Sequence, residues 1–212
     1  MNHHFNSNYK ITRNFKQYCT IDIDNAYAFK HKGILRTTAG TLKDGLTKPT
    51  KLKQRWGTYM RNSKDPYDTY SYIQHFSKNQ KLEVLFFFLL GDYAQYDKNI
   101  RFDHPKMISL IKQLGNTSTI GIHPSYASNK NSKMIGIEKQ RLEHILGKSV
   151  HHNRFHFLKF SLPKSYQQLL AYGITDDYSM GYADQIGFRA GTCTPYNFYD
   201  LENEVQTDLK VH

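Results

Sequence analysis

Two aspartates one residue apart, Asp22 and Asp24, lie in an apolar and β-branched stretch near the start of the chain. Side chains alternate between the two faces of a strand, so these carboxylates should point in the same direction. The carboxyl end of a parallel strand is where α/β enzymes place their active sites. One carboxylate could then hold a metal ion while the other accepts a proton. The plainer interpretation is that both acids only cap a turn before Asn25.

Further polar and ionisable residues follow other predicted strands. The continuous apolar run of residues 84–90 is typical of a central parallel strand that is buried on both faces. Because the carboxyl ends of parallel strands meet at one edge of a sheet, we expect the strand-end residues to converge on one site. These residues are Asp92, His123, Arg154, His156 and Arg189.

Strand and helix patterns alternate along the chain, which predicts β/α units around a parallel sheet. Strands are expected at residues 15–23, 83–90, 118–122, 154–161, 176–180 and 187–191. Helices are expected at residues 54–62, 67–76, 104–114, 133–146 and 163–172. Residues 25–53 have a loop-like composition, and the polar residues 1–14 are expected to form a flexible N-terminal segment. Residues 15–212 are expected to form one α/β domain.

The formal net charge of +11 over 212 residues is typical of proteins that bind nucleic acids or other polyanions. The densest basic stretch spans residues 48–61. However, the cations are scattered, no run of five occurs, and no nucleic-acid-binding motif is evident. We therefore do not expect a nucleic-acid partner, although a basic polyanion-binding protein stays open as an alternative function.

The two cysteines, Cys19 and Cys193, lack the spacing of a metal site and are expected to be buried free thiols in a reducing compartment. The N-terminus lacks an apolar segment of signal-peptide length. The run of residues 84–90 is too short to cross a bilayer. These features predict a cytoplasmic protein without a membrane-spanning segment, and they leave the oligomeric state open.

An aspartate together with one or two histidines, with positions left open for water, forms a hydrolytic divalent-metal site. Asp24 and His123 could supply such ligands, and Asp22 could act as the base. An arginine beside that base would keep it charged and oriented, and Arg189 is the candidate for this position.

Three stretches of the sequence, residues 20–24, 121–125 and 187–191, resemble in order the motifs of NodB-type polysaccharide deacetylases (carbohydrate esterase family 4). Residues 65–70 and 177–182 resemble an uncharacterised bacterial branch of that family. The resemblance covers residues 18–208. It implies a deacetylase-like distorted (β/α) barrel, an N-acetylated carbohydrate substrate and a divalent metal ion, with zinc as the expected metal.

The resemblance also implies roles for single residues. Asp22 corresponds to the general base, Arg189 to its partner, and Asp24 and His123 to metal ligands. The second family histidine, four residues after the first, is replaced by Ala127. His156 is the expected substitute ligand, and Ser125 or Asn129 with waters are alternatives. The expected substrate-binding residues are Asp92, Tyr126, Arg154 and Asp177.

The implied activity is metal-dependent removal of an acetyl group from an N-acetylated saccharide, which is hydrolysis of a carbon–nitrogen bond other than a peptide bond. The family carries a late histidine as general acid. The sequence ends at His212, which is expected to be a poor acid in a domain that is incomplete at its C-terminus. The late histidine motif that is not found, together with Ala127 in place of the second histidine, favours an alternative function: a degenerate carbohydrate-binding domain without catalysis.

Overall fold

The computed structural model describes residues 15–61 and 63–212, so the predicted flexible segment of residues 1–14 lies outside it. A seven-stranded sheet runs through the described part of the chain. Its strands are β1 (Tyr18–Ile23), β2 (Glu83–Phe88), β3 (Thr119–Ile122), β4 (His152–Asn153), β5 (Asp176–Asp177), β6 (Tyr196–Asp200) and β7 (Val205–Val211). The helices are α1 (Ile34–Thr47), α2 (Pro49–Met60), α3 (Tyr70–Gln80), α4 (Pro105–Gly115), α5 (Lys133–Leu146) and α6 (Lys164–Ala171).

The strand order is β1-β2-β3-β4-β5-β7-β6. Every neighbouring pair is parallel except β6 and β7, which are antiparallel. The predicted α/β class with parallel strands is therefore confirmed. The sheet is not closed within the described residues, since β1 and β6 form its two edges, so the fold is an open form of the expected distorted barrel.

Strand β2 lies in the middle of the core, as its continuous apolar run predicts. Phe86 and Phe88 pack into a large cluster with the buried faces of the helices, including Met107 on α4 and Leu142 on α5. Successive strand residues point to opposite faces, so both faces of β2 are covered by apolar side chains.

On the other face of β2, Leu85 and Phe87 form a smaller inner cluster with Tyr178. Gly121 on β3 makes room for this cluster, since a Cβ at that position would lie 2.6 Å from the Phe87 ring and 2.8 Å from the His152 carbonyl oxygen. The residue type at position 121 is therefore set by the close approach of Phe87, two residues before His123.

The prediction of a loop at residues 25–53 is wrong, because α1 occupies residues 34–47 and α2 begins at Pro49. Glycine and threonine weaken the helical pattern of α1, and Pro49 suggested a turn. In the structure Pro49 takes the first position of α2, where its missing N–H costs nothing. Packing between α1 and α2 supplies the stabilisation that local propensity does not.

Two predicted strands are also corrected. No strand forms at 154–161: the two-residue strand of His152 and Asn153 ends just before this range, and the chain then turns through Phe157 and Leu158, which have φ values of 59° and 50°. Residues 187–191 form no strand, since Gly191 takes a φ of 72° that breaks an extended chain.

Cys19 is half-buried and Cys193 is exposed, and neither forms a disulfide. The expectation of two buried thiols is therefore wrong for Cys193, and the predicted reducing compartment stays a prediction. No helix among the described residues is both long enough and apolar enough to span a membrane.

Candidate metal centre

The carboxyl edge of the parallel strands brings the candidate site together. Asp22 and Asp24 lie at the end of β1, and His123 follows β3 directly. Arg154 and His156 follow the two-residue strand β4. A cavity of about 390 Å³ opens at this edge. Its lining includes Asp22, Asp24, His123, Arg154, His156 and Tyr178.

Asp24, His123 and His156 place one donor atom each within 4.8 Å of one another. Asp24 Oδ1 lies 3.1 Å from His123 Nε2 and 3.8 Å from His156 Nε2. Both imidazoles are buried, while the Asp24 side chain is about half exposed to the cavity. The structure therefore brings together the three residues that the sequence suggested as metal ligands.

Both histidines are oriented by their second ring nitrogen. His123 Nδ1 lies 2.6 Å from the Arg154 carbonyl oxygen, and His156 Nδ1 lies 2.9 Å from Asp97 Oδ1. A carbonyl or a carboxylate oxygen only accepts, so each Nδ1 donates its proton. In the neutral imidazole the lone pair is then on Nε2, toward Asp24. Metal-ligating histidines are held in this way.

The charge balance of the site also suits a cation. Burial alone would raise the pKa of Asp24, but the hydrogen bond and charge of His123 in its protonated form, with the charge of protonated His156, lower this pKa below its ordinary value. Asp24 is therefore anionic at neutral pH. Two imidazole nitrogens and one carboxylate oxygen form a donor set that fits zinc, with further positions for water or substrate.

Asp97 is a functional candidate that the sequence reasoning missed. Its carboxylate is almost fully buried and accepts hydrogen bonds from His156 Nδ1 and from the Tyr126 backbone N–H. Burial raises the pKa of Asp97, but these hydrogen bonds outweigh burial and lower it overall. The sequence offered one signal for Asp97, which is an acidic residue in the segment that follows the most buried strand, β2.

We predict that Asp97→Asn weakens zinc binding by about 10- to 100-fold, the usual cost of losing an outer carboxylate that supports a ligating histidine. The matched control is Asp92→Asn, since Asp92 is exposed and pairs with Arg141 instead of a histidine. Competition with a chromophoric chelator would measure both affinities. Equal affinities for the two variants would show that Asp97 does not support His156.

Arg154 contacts Asp22, the candidate base. Its Nη1 lies 3.3 Å from Asp22 Oδ1, its Nη2 donates to Thr20 Oγ1 at 2.7 Å, and its Nε donates to the Tyr178 carbonyl at 2.9 Å. The guanidinium is thus held between β1 and the residue that follows β5. Asp22 Oδ2 lies 4.0 Å from His123 Nε2, so the base candidate borders the metal-ligand group.

The expected pairing of Arg189 with Asp22 is corrected by the structure. Arg189 lies in an exposed turn, where its Nη1 donates to the Leu158 carbonyl at 3.1 Å and its guanidinium covers the Phe160 ring. It lines a second cavity of about 490 Å³, together with Tyr126. Because residues 187–191 form no strand, nothing carries Arg189 to the sheet edge.

The expected substrate-binding residues lie in different places. Arg154 borders the metal-ligand cavity and Tyr126 the second cavity, whereas Asp92 lines a separate cavity of about 850 Å³. Asp177 is fully buried and accepts hydrogen bonds from Asn153, Ser179 and Tyr166, and burial raises its pKa. The expectation of substrate contact is therefore wrong for Asp177, which connects β4, β5 and α6.

His212 follows β7, next to the inner cluster. Its ring stacks on Tyr178, which lines the metal-ligand cavity, with ring centroids 4.3 Å apart and an interplanar angle of 7°. Its Nε2 lies 2.9 Å from Asp176 Oδ1, while its buried Nδ1 has no hydrogen-bond partner among the described residues. The sequence predicted His212 to be a poor acid because it is the last residue of the sequence.

Glu138 on α5 anchors the segment after His123. Its carboxylate accepts hydrogen bonds from the backbone N–H of Ser125, at 2.9 Å, and from the Ser125 hydroxyl. Burial raises the pKa of Glu138 to about 7 despite these hydrogen bonds. The loop that carries His123 is therefore coupled to a group that titrates near neutrality.

This coupling predicts a pH-dependent stability. The pKa of Glu138 is about 7 in the folded chain against an ordinary value of 4.5. The stabilisation from the protonated carboxyl is therefore complete below about pH 4.5 and is lost as the pH rises through about 7. Between about pH 5 and pH 8, wild type should lose roughly 2–3 kcal/mol of unfolding free energy relative to Glu138→Gln. Urea unfolding at several pH values measures this, and parallel curves would contradict it.

No protein family model matches the sequence, and no curated protein does so either. The chain is similar in structure to a predicted polysaccharide deacetylase from Mycobacterium smegmatis, with a TM-score of 0.52 and 11% identity. That match covers 95% of this chain and 59% of the other, so this chain spans about three fifths of its length. The chain therefore has the fold of that structure.

Two further solved structures show weaker similarity. IcaB from Ammonifex degensii gives a TM-score of 0.43 and 11% identity, covering 79% of this chain and 85% of the other. A de-N-acetylase from Aggregatibacter actinomycetemcomitans gives a TM-score of 0.40 and 13% identity, covering 81% of this chain and 90% of the other.

Proposed function

We propose that residues 15–212 act as one domain that removes an acetyl group from an N-acetylated carbohydrate by metal-dependent hydrolysis. The observation that carries this proposal is the group of Asp24, His123 and His156 with Asp22 beside it, at the carboxyl edge of the parallel strands. The fold and the sequence motifs support the same class of reaction.

Asp24, His123 and His156 would hold the metal ion, and the two imidazoles with one carboxylate favour zinc. Bound there, the ion would supply Lewis-acid polarisation of the acetamide carbonyl and a lowered pKa for a coordinated water. Asp97 and the Arg154 carbonyl keep the two imidazoles in the required tautomer. These residues therefore prepare the site before any ion binds.

Asp22 is the proposed general base, because its carboxylate borders the ligand group and is free of a metal-ligating role. Arg154 positions this carboxylate through the contact at 3.3 Å. The base takes a proton from the attacking water, which then adds to the acetyl carbonyl carbon.

No described residue is assigned as general acid, because His212 does not line the metal-ligand cavity and its unpaired Nδ1 is buried, so the departing amine would take its proton from water. Asp176 binds one ring nitrogen of His212, and the other nitrogen has no partner among the described residues. The Asp176 carboxylate therefore orients the His212 ring beside Tyr178. The exposed aromatic rings of Phe157 and Tyr182 at the cavity suit stacking against a sugar.

The test is acetate release from N-acetylglucosamine oligomers by the purified chain, loaded with zinc or treated with a chelator. We expect release with zinc and none after chelation. Saccharide binding without acetate release in the zinc-loaded chain would favour the degenerate carbohydrate-binding domain instead. Salt-sensitive binding to a polyanion, without saccharide binding or hydrolysis, would favour the polyanion-binding alternative.

A further inference from the structure

Helices α1 and α2 form a hairpin joined by the single residue Lys48. Arg55 on α2 donates from Nε to Asp44 on α1 at 3.1 Å, and both side chains are buried. Tyr59 donates from its hydroxyl to the Phe29 carbonyl at 2.6 Å, which ties α2 to the core. The hairpin is therefore fixed internally and attached to the domain.

The outer surface of this hairpin is apolar. Leu35, Leu42 and Leu46 lie on one face of α1, since seven and eleven residues are close to whole numbers of helical turns. They are 84%, 70% and 80% exposed. On α2, Trp56 and Met60 are four residues apart and are 62% and 65% exposed. Large apolar side chains in such number rarely stay in water without a partner surface.

All exposed charges on the hairpin are positive. The hairpin carries four exposed lysines, and the only acid within residues 34–60 is Asp44, which is buried against Arg55. These lysines are Lys43, Lys48, Lys51 and Lys53. A second copy of the chain would meet this surface with like charges, which disfavours self-association through the hairpin.

We propose that the α1–α2 hairpin docks this protein onto an anionic lipid bilayer. The apolar side chains would enter the boundary between headgroups and acyl chains, and the lysines would contact lipid phosphates, as basic amphipathic helices do. Trp56 suits this position, because tryptophan is favoured at the membrane–water interface. The chain would then bind peripherally, and this inference does not depend on the proposed hydrolysis.

The hairpin and the metal-ligand group are close along the chain. The loop from Asp24 leads directly to α1, which begins at Ile34.

Trp56 is the only tryptophan of the chain and lies on the proposed surface, so its fluorescence reports docking directly. The experiment adds phosphatidylcholine vesicles, with and without phosphatidylglycerol, to the full chain and measures fluorescence and co-flotation. We expect a blue shift and flotation only with the anionic vesicles, and a loss of both in high salt.

Two variants and their matched controls test the surface itself. Replacing Lys48, Lys51 and Lys53 with Gln should weaken binding on the order of a hundredfold, since each lysine near an anionic surface contributes about fivefold. Leu42→Ser with Leu46→Ser should remove the blue shift. The controls are a triple variant with Lys106, Lys112 and Lys130 changed to Gln, and a double variant with the exposed Leu162 and Leu201 changed to Ser.

All of these residues are exposed, so the variants should keep the wild-type unfolding transition, which is checked by circular dichroism. Wild type that neither floats with anionic vesicles nor shifts its fluorescence would overturn the proposal. Equal losses in the hairpin variants and their controls would also overturn it. A concentration-dependent dimer disrupted by Leu42→Ser, without vesicle binding, would assign the surface to a second copy.

Discussion

Replacing Asp24 with alanine should abolish stoichiometric zinc binding and, with it, acetate release. Asp24 Oδ1 faces the Nε2 atoms of His123 and His156, and it is the only carboxylate in this group. Without it the two imidazoles have no negative charge to complete the donor set. We expect zinc affinity to fall by more than about a hundredfold, beyond the usual cost of an outer-shell change.

This prediction is checked by isothermal titration with zinc and by the metal content of the purified chain. The Asp24 side chain is about half exposed, so its loss should leave the fold intact. The matched control is Asp208→Ala, at an exposed acid on β7. If Asp24→Ala keeps wild-type affinity, the assignment of the ligand group is wrong.

Asp22→Asn should separate zinc binding from catalysis. The variant should still bind zinc but should lose turnover. The amide keeps the shape of the side chain but cannot take a proton from water. A general base contributes about 10²–10⁴-fold to the rate, so kcat should fall by that factor. Steady-state acetate release from a saturating N-acetylglucosamine oligomer measures kcat, and zinc titration of the same preparation shows that the ion is bound.

Variants of Arg154 and Arg189 also test the assignment of Asp22 as the general base. Arg154→Gln removes the guanidinium that contacts Asp22 and should lower kcat. Arg189→Gln should leave kcat unchanged, because the Arg189 side chain contacts Leu158 and Phe160 instead of Asp22. The reverse result would restore Arg189 as the partner of the base and would show that residues 187–191 reach the sheet edge in solution.

Patterns that depend on burial were predictable from the sequence. The run in β2 marks a central strand because both of its faces are covered, and the periodicity of α5 gives its limits at residues 133–146 as predicted. Asp24 and His123 could be placed together because strand ends converge, which requires only the parallel topology.

Features that depend on tertiary contacts were not predictable in this way. The hairpin of α1 and α2 is stabilised by the buried pair of Asp44 and Arg55, which no local pattern reveals. Arg154 reaches Asp22 because β4 is short and the chain turns after it. The stacking of His212 on Tyr178 depends on β7, which no sequence pattern predicted.

The most direct test of the metal-dependent hydrolysis is to measure acetate release against zinc occupancy in one preparation. The chain is stripped with a chelator, reloaded with increasing zinc, and assayed at each occupancy with an N-acetylglucosamine oligomer. We predict a rate that rises from zero in proportion to the bound zinc and saturates with the site. Acetate release from the stripped chain, or none from the fully loaded chain, would contradict the proposed function.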